Sequence, residues 1–191
     1  MEKETFAQME ISTKAALHNF KYFRSYLKKE TKLLILIKAN SYGHGAVDFA
    51  KLMEKAGADY FAVAHPIEGI ELRAGGIKTP IIVLTTGTDY YKEIIENGLE
   101  PGIPNLYSLK KFDAVVKKMG VDVYPVHIKL DTGMHRLGFM ERNFLNSSSS
   151  SRPTRRSRSR ASTPTLQLPT RRNGTSSPLA RLPSTTRWLR R

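Results

Sequence analysis

The sequence contains no cysteine, which excludes disulfides and thiolate metal sites and permits a reducing compartment without requiring one. It has no apolar run approaching the roughly 20 residues of a membrane-spanning helix. Its longest candidate, LLILI at residues 33–37, is a strand's worth. The opening MEKETFAQMEIS lacks the apolar stretch of a secretory signal. No H-E-x-x-H, P-loop or G-x-G-x-x-G occurs, and no Cys/His cluster marks a metal site. Together these absences lead us to expect a cytoplasmic protein with neither a membrane partner nor a metal.

What is present divides into two compositions. The formal net charge is +14, with 31 basic and 17 acidic residues among 191. Residues 146–191 hold 11 arginines, no lysine and no acidic residue, which leaves 20 basic against 17 acidic in residues 1–145. The body is near neutral. From Asn146 the chain is rich in Ser, Arg, Thr and Pro without apolar periodicity. Such a segment buries too little surface to offset its ordering entropy, so we expect a disordered basic tail over 146–191. A tail of this charge can bind nucleic acid electrostatically. It offers only Trp188 for stacking on bases, so no specific nucleic-acid partner is expected.

Residues 1–145 alternate between strand and helix patterns. After Ser12 or Thr13 as N-cap, Ala16, Leu17, Phe20, Phe23 and Leu27 recur at helical spacing. LLILI reads as a short strand buried on both faces. AVDFAKLMEKAGA is an amphipathic helix, YFAVAH a strand, IEGIELRAGG a helix and PIIVLTT a third strand. DYYKEIIENG is a helix, EPGIPN a weak fourth strand or a turn, LYSLKKFDAVVKKMG a helix and VYPVHIKLDT a fifth strand. Strands separated by helices of this length indicate α/β architecture with a parallel sheet. The repeat suits a β/α barrel at least as well as an open doubly wound sheet.

In both architectures functional groups collect at the C-terminal ends of strands. Lys38, Asn40, Tyr42 and His44 follow the first strand, and His127, Lys129, Asp131, His135 and Arg136 surround the end of the fifth. A lysine at such a mouth can lose its solvation and become a nucleophile, or it can simply snorkel to water. Asp131-Thr132-Gly133 is ordinary turn chemistry. His127 reads as a hydrogen-bonded strand histidine, and His44 as a partner for the turn backbone.

The stretch IKANSYGHGA, beginning at Ile37, resembles the cofactor-lysine motif V-K-A-N-A-Y-G-H-G of alanine racemases. HIKLDTGMHRLGF, beginning at His127, resembles the same family's H-x-K-x-D-T-G-M-x-R-L-G-F. With MEISTKAALHNFKYFR near the start, the resemblance runs to about residue 142 in order and spacing. It implies that residues 1–145 are the N-terminal part of a (β/α)8 barrel that binds pyridoxal 5'-phosphate (PLP), incomplete in this chain. In the family a β-rich C-terminal domain and homodimerisation follow. The implied activity is interconversion of L- and D-alanine for peptidoglycan synthesis, with another PLP-barrel racemase or an amino-acid decarboxylase as the alternative. A basic-tail nucleic-acid-binding protein is the non-enzyme alternative.

The resemblance also implies roles. Lys38 carries PLP and acts as the base on the D-alanine side, and Tyr42 helps hold the cofactor phosphate. Arg136 lies near the cofactor's phenolic oxygen and the substrate carboxylate. Lys129 matches a lysine that is carbamylated in some members. The family's opposite-face acid/base is a tyrosine of the other subunit's C-terminal domain, which this chain does not contain.

Where the tail begins, the resemblance implies that the family continues with a helix and then a strand reading something like E-G-I-Y-x-x-F-A-T-A-D-E. Regrouping plausible codons from Ser159, each taking the last base of one codon and the first two of the next, reads E-G-I-Y-A-N-F-A-T-A-D-E-T-E-W-D-F-L-A. The expectation is therefore a frameshifted tail on a truncated, inactive chain.

Overall fold

The structure, a computed structural model, describes residues 9–140. The tail expected over 146–191 lies outside the described residues, as does the last part of the expected 1–145 domain. The described residues form two compact units, divided between Ile81 and Ile82.

In the first unit, helix α1 (Thr13–Ser25) starts where the Ser12 hydroxyl accepts the Ala15 N–H at 3.2 Å, satisfying a donor that the helix itself leaves unpaired. Strand β1 (Leu34–Leu36) pairs in parallel with β2 (Tyr60–Val63), Ile35 opposite Phe61. Helix α2 (Ala46–Ala56) makes the crossover and packs against α1, burying Ala46, Ala50 and Met53 at helical spacing. It ends at Gly57 with φ 95°, a left-handed conformation that glycine adopts without a Cβ penalty. Helix α3 (Pro66–Ala74) follows β2, and Phe61 N–H donates to Pro80 O at 2.9 Å. Phe61 is wholly buried, a placement that stabilises the fold by about 1.5–3 kcal/mol.

In the second unit, β3 (Ile81–Val83, counted from Ile82), β4 (Glu100–Ile103) and β5 (His127–Ile128) pair in parallel, Ile82 opposite Glu100 and Gly102 opposite His127. A 3₁₀ turn (Thr88–Tyr90) and helix α4 (Tyr91–Glu96) link β3 to β4. Helix α5 (Leu106–Lys118) links β4 to β5, its N-terminus capped where Asn105 Oδ1 accepts the Ser108 N–H at 2.8 Å. Tyr91 and Phe112 meet edge to face, with ring centroids 5.1 Å apart. Among the described residues neither unit contains a point where strand order reverses, and within each unit the strands pair with their sequence neighbours. That is the winding of a β/α barrel, not of a doubly wound sheet.

Four expectations need correction. β1 is half-buried rather than buried on both faces, because an open groove of about 600 Å³ runs beside it, lined by Ala16, Phe20 and Leu33 among others. The weak fourth strand is buried at all four positions. Its proline, glycine and glutamate disguised it, yet Glu100 is paired with His127, and a Cβ on Gly102 would stand 2.9 Å from Val83 O. The fifth strand is shorter than VYPVHIKLDT. Beyond Ile128 the chain folds onto its own continuation, with Phe139 N–H donating to Lys129 O at 2.8 Å and Asp131 N–H to Phe139 O at 2.9 Å. In α1, Phe20 is buried but Phe23 is 62% exposed, so the helical stripe is narrower than expected.

Candidate active site

The first unit places Lys38 where the strand's hydrogen bonding stops. Ile37 is buried and donates its N–H to Ala62 O at 2.7 Å. Beyond Lys38 the backbone turns left-handed: Ala39, Asn40, Ser41 and Tyr42 have φ of 51, 52, 53 and 54°. For residues bearing a Cβ this costs about 1–2 kcal/mol each, less for asparagine. Four in succession therefore need external support.

Three side chains supply it. Asn40 Oδ1 accepts the Ala46 N–H at 2.7 Å, tying the turn to the start of α2. His44 Nδ1 donates to Ser41 O at 2.6 Å, the turn-backbone role expected of it. Glu68, in the first turn of α3, accepts the Ala39 N–H on Oε1 at 2.7 Å. Its Oε2 accepts the N–H groups of Ala64 (2.7 Å) and His65 (2.9 Å). Burial pushes the Glu68 carboxyl up, but these three donors and the His65 side chain outweigh it and hold the group below the ordinary glutamate value. Gly43, with φ 90°, ends the turn.

The turn brings Lys38 and Tyr42 together, with Nζ 5.7 Å from the centre of the Tyr42 ring. Lys38 is half-buried and Tyr42 exposed. The lysine amine can condense with an aldehyde, and the tyrosine hydroxyl can donate to a phosphate oxygen.

The second unit arranges the other cluster. Lys129 is half-buried and its Nζ donates to Leu84 O at 3.0 Å. Burial first, and the Arg136 charge second, hold this lysine below its ordinary range. Arg136 is exposed, its Nε donating to Met134 Sδ at 3.1 Å. The intervening loop is organised by Asp131, whose Oδ1 accepts the N–H groups of Gly133 and His135, both at 3.0 Å. Those two bonds, together with His135, hold the Asp131 carboxyl below its usual value against its own burial. His127 Nε2 lies 2.5 Å from Glu100 Oε2, both side chains nearly buried, the hydrogen-bonded strand histidine expected. Among the described residues no group of three His, Cys, Asp or Glu side chains is placed to hold a metal ion. No helix among them is long and apolar enough to cross a membrane.

Sequence reasoning missed Glu68 and Glu100. Glu68 was legible as the third residue of a helix starting at Pro66, the place of a capping-box acid. Glu100 had no signal, because a carboxylate at a strand start reads as solvent-facing until its partner across the ladder is known.

The chain is similar to known proteins. The N-terminal domain of alanine racemases matches residues 11–148. An alanine racemase of Synechocystis sp. is 42% identical over 134 residues, 69% of this chain and 36% of that protein. A solved alanine racemase of Clostridium difficile 630 superposes with a TM-score of 0.62 at 40% identity, covering 65% of this chain and 33% of that one. A further solved structure, alanine racemase from Bartonella henselae with covalently bound pyridoxal phosphate, has a TM-score of 0.66 at 23% identity over 73% of this chain and 39% of that one, and shares the fold. This chain thus spans about a third of the length of the relatives it matches. With parallel strands wound in chain order within each unit, a lysine just beyond its first strand and a match across most of its length, the chain belongs to the alanine racemase family through that family's N-terminal domain.

Proposed function

We propose that this chain carries the cofactor-lysine portion of a PLP-dependent alanine racemase, with Lys38 as the residue that binds the cofactor. The observation that carries this reading is the braced left-handed turn, which presents a half-buried amine and a tyrosine hydroxyl at the end of β1. An amine suits the aldehyde of PLP and the Tyr42 hydroxyl suits its phosphate, so the residues present fit the group. When bound, PLP acts as an electron sink that makes an amino acid's α-proton removable. Lys38 Nζ takes and returns that proton on one face. Arg136 holds the carboxylate of alanine. Lys129, whose lowered proton affinity leaves more of its amine neutral, is the one to react with carbon dioxide and present a negative carbamate to Arg136. The setting is a homodimeric, cytoplasmic enzyme supplying D-alanine for peptidoglycan.

The test is reduction with borohydride in the presence of PLP, followed by peptide mapping. We expect the label on Lys38. Folded protein labelled elsewhere, with Lys38 unmodified, overturns the assignment.

Residues 146–191 are read as a frameshifted continuation of the same gene, and the 191-residue chain as inactive. In support, the family match ends at residue 148, within a few residues of the change in composition. The shifted frame of Gln167 to Arg171 yields A-T-A-D-E at about the distance from Arg136 that the family pattern calls for.

A further inference from the structure

Lys38 leaves the chain immediately before the left-handed turn, so the aim of its side chain depends on the backbone that follows. That backbone is an unfavourable one, and its first N–H, that of Ala39, lies too early in the turn for the turn's own carbonyls to satisfy. Glu68 satisfies it from another element, 29 residues along the chain. The same carboxylate holds the end of β2 and the start of α3 through Ala64 and His65. One side chain thus fastens the turn after Lys38 to the next β/α junction, and Ala39 and Lys38 share a peptide group.

We infer that Glu68 is a positioning residue for Lys38: its carboxylate, by accepting the Ala39 N–H while anchored on the Ala64 and His65 N–H groups, holds the left-handed turn that sets the direction of the lysine amine. This rests on the reading of Lys38 as the cofactor lysine. Three N–H donors on two carboxylate oxygens is a set that only an ionised carboxylate can serve. An amide in its place turns an N–H2 toward one of the donors. A shorter aspartate does not span both junctions.

Glu54 provides a matched comparison. It accepts the Lys78 N–H, the Thr79 N–H and the Thr79 hydroxyl on Oε1, at 2.9, 2.7 and 2.7 Å, and is likewise held below the ordinary value, with burial opposed by these bonds and by Arg73. It braces backbone of the same unit without touching residues 38–45. Glu68→Gln and Glu54→Gln therefore remove equivalent braces, only one of which reaches the turn.

The experiment uses the 191-residue chain and the two variants, compared at temperatures equally far below their unfolding midpoints. It reads two things: amide hydrogen exchange at Ala39, and the rate of borohydride-trapped PLP labelling at Lys38 relative to the other lysines. A lost hydrogen bond to a charged acceptor corresponds to about tenfold or more in such rates. We expect Glu68→Gln to speed Ala39 exchange about tenfold and slow Lys38 labelling comparably, with Glu54→Gln leaving both within about twofold of the parent. Equal effects from the two variants, or unchanged Ala39 exchange in Glu68→Gln, overturn the inference. If the parent chain never labels at Lys38, the cofactor reading fails, while the exchange at Ala39 still decides whether Glu68 holds the turn.

Discussion

At the scale of single residues, Lys129 combines burial with a neighbouring charge. Its proton affinity is lowered by burial and then by Arg136, so the two causes separate by mutation. In Arg136→Ala the lysine keeps its burial and its bond to Leu84 O but loses the opposing charge. The midpoint of its pH-dependent acylation, measured by competitive labelling and mass spectrometry, is expected to move upward, toward the ordinary lysine value. A midpoint that stays put would mean burial alone sets it. This lysine stood out in H-I-K-L-D-T-G because the motif is specific. Its environment was not, since Leu84 lies 45 residues away. Gly102, whose missing Cβ leaves room 3.2 Å from Lys129 Cδ, carried no signal beyond reading as a turn residue.

At the scale of elements, the helices were the most legible part, because an amphipathic period of 3.6 is a local property of residues such as Phe112 and Val116. Strand extent was less so. β4 was disguised by its glutamate, proline and glycine, and β5 was shortened by the return of Phe139 into a parallel bridge with Leu130, a contact that sequence spacing alone does not reveal. The joints between elements depend on carboxylates. Glu54 and Glu68 fasten strand and helix ends and are both held below the ordinary glutamate value of 4.5. Groups with depressed folded-state values contribute stability that is fully present above the unfolded value and is lost as pH falls through the folded one. Thermal midpoints measured by circular dichroism are therefore expected to be flat above about pH 5 and to fall below pH 4.5. Glu54→Gln and Glu68→Gln should each have a lower plateau and a shallower acid limb than the parent. An acid limb as steep in both variants as in the parent would rule these carboxylates out as its source.

At the scale of the whole molecule, two kinds of sequence share one chain, and the near-neutral part carries all the features that connect it with its family. Re-sequencing the DNA between the codons for Met140 and Ser159 is expected to show a missing or extra base, and the purified 191-residue chain is expected to give no measurable alanine racemisation. A verified single frame through that stretch, or turnover by this chain, would refute the frameshift reading. The winding in chain order has one more consequence. Within the first unit β2 finds its partner in the segment made just before it, and Lys38, its left-handed turn, Asn40 and Glu68 all lie within the first 81 residues. A ribosome releasing this chain from its N-terminus delivers every side chain that braces the turn after Lys38 before it reaches the codons for the second unit. Whatever is translated afterwards, correctly or not, arrives when that local geometry already has all its donors and acceptors in hand.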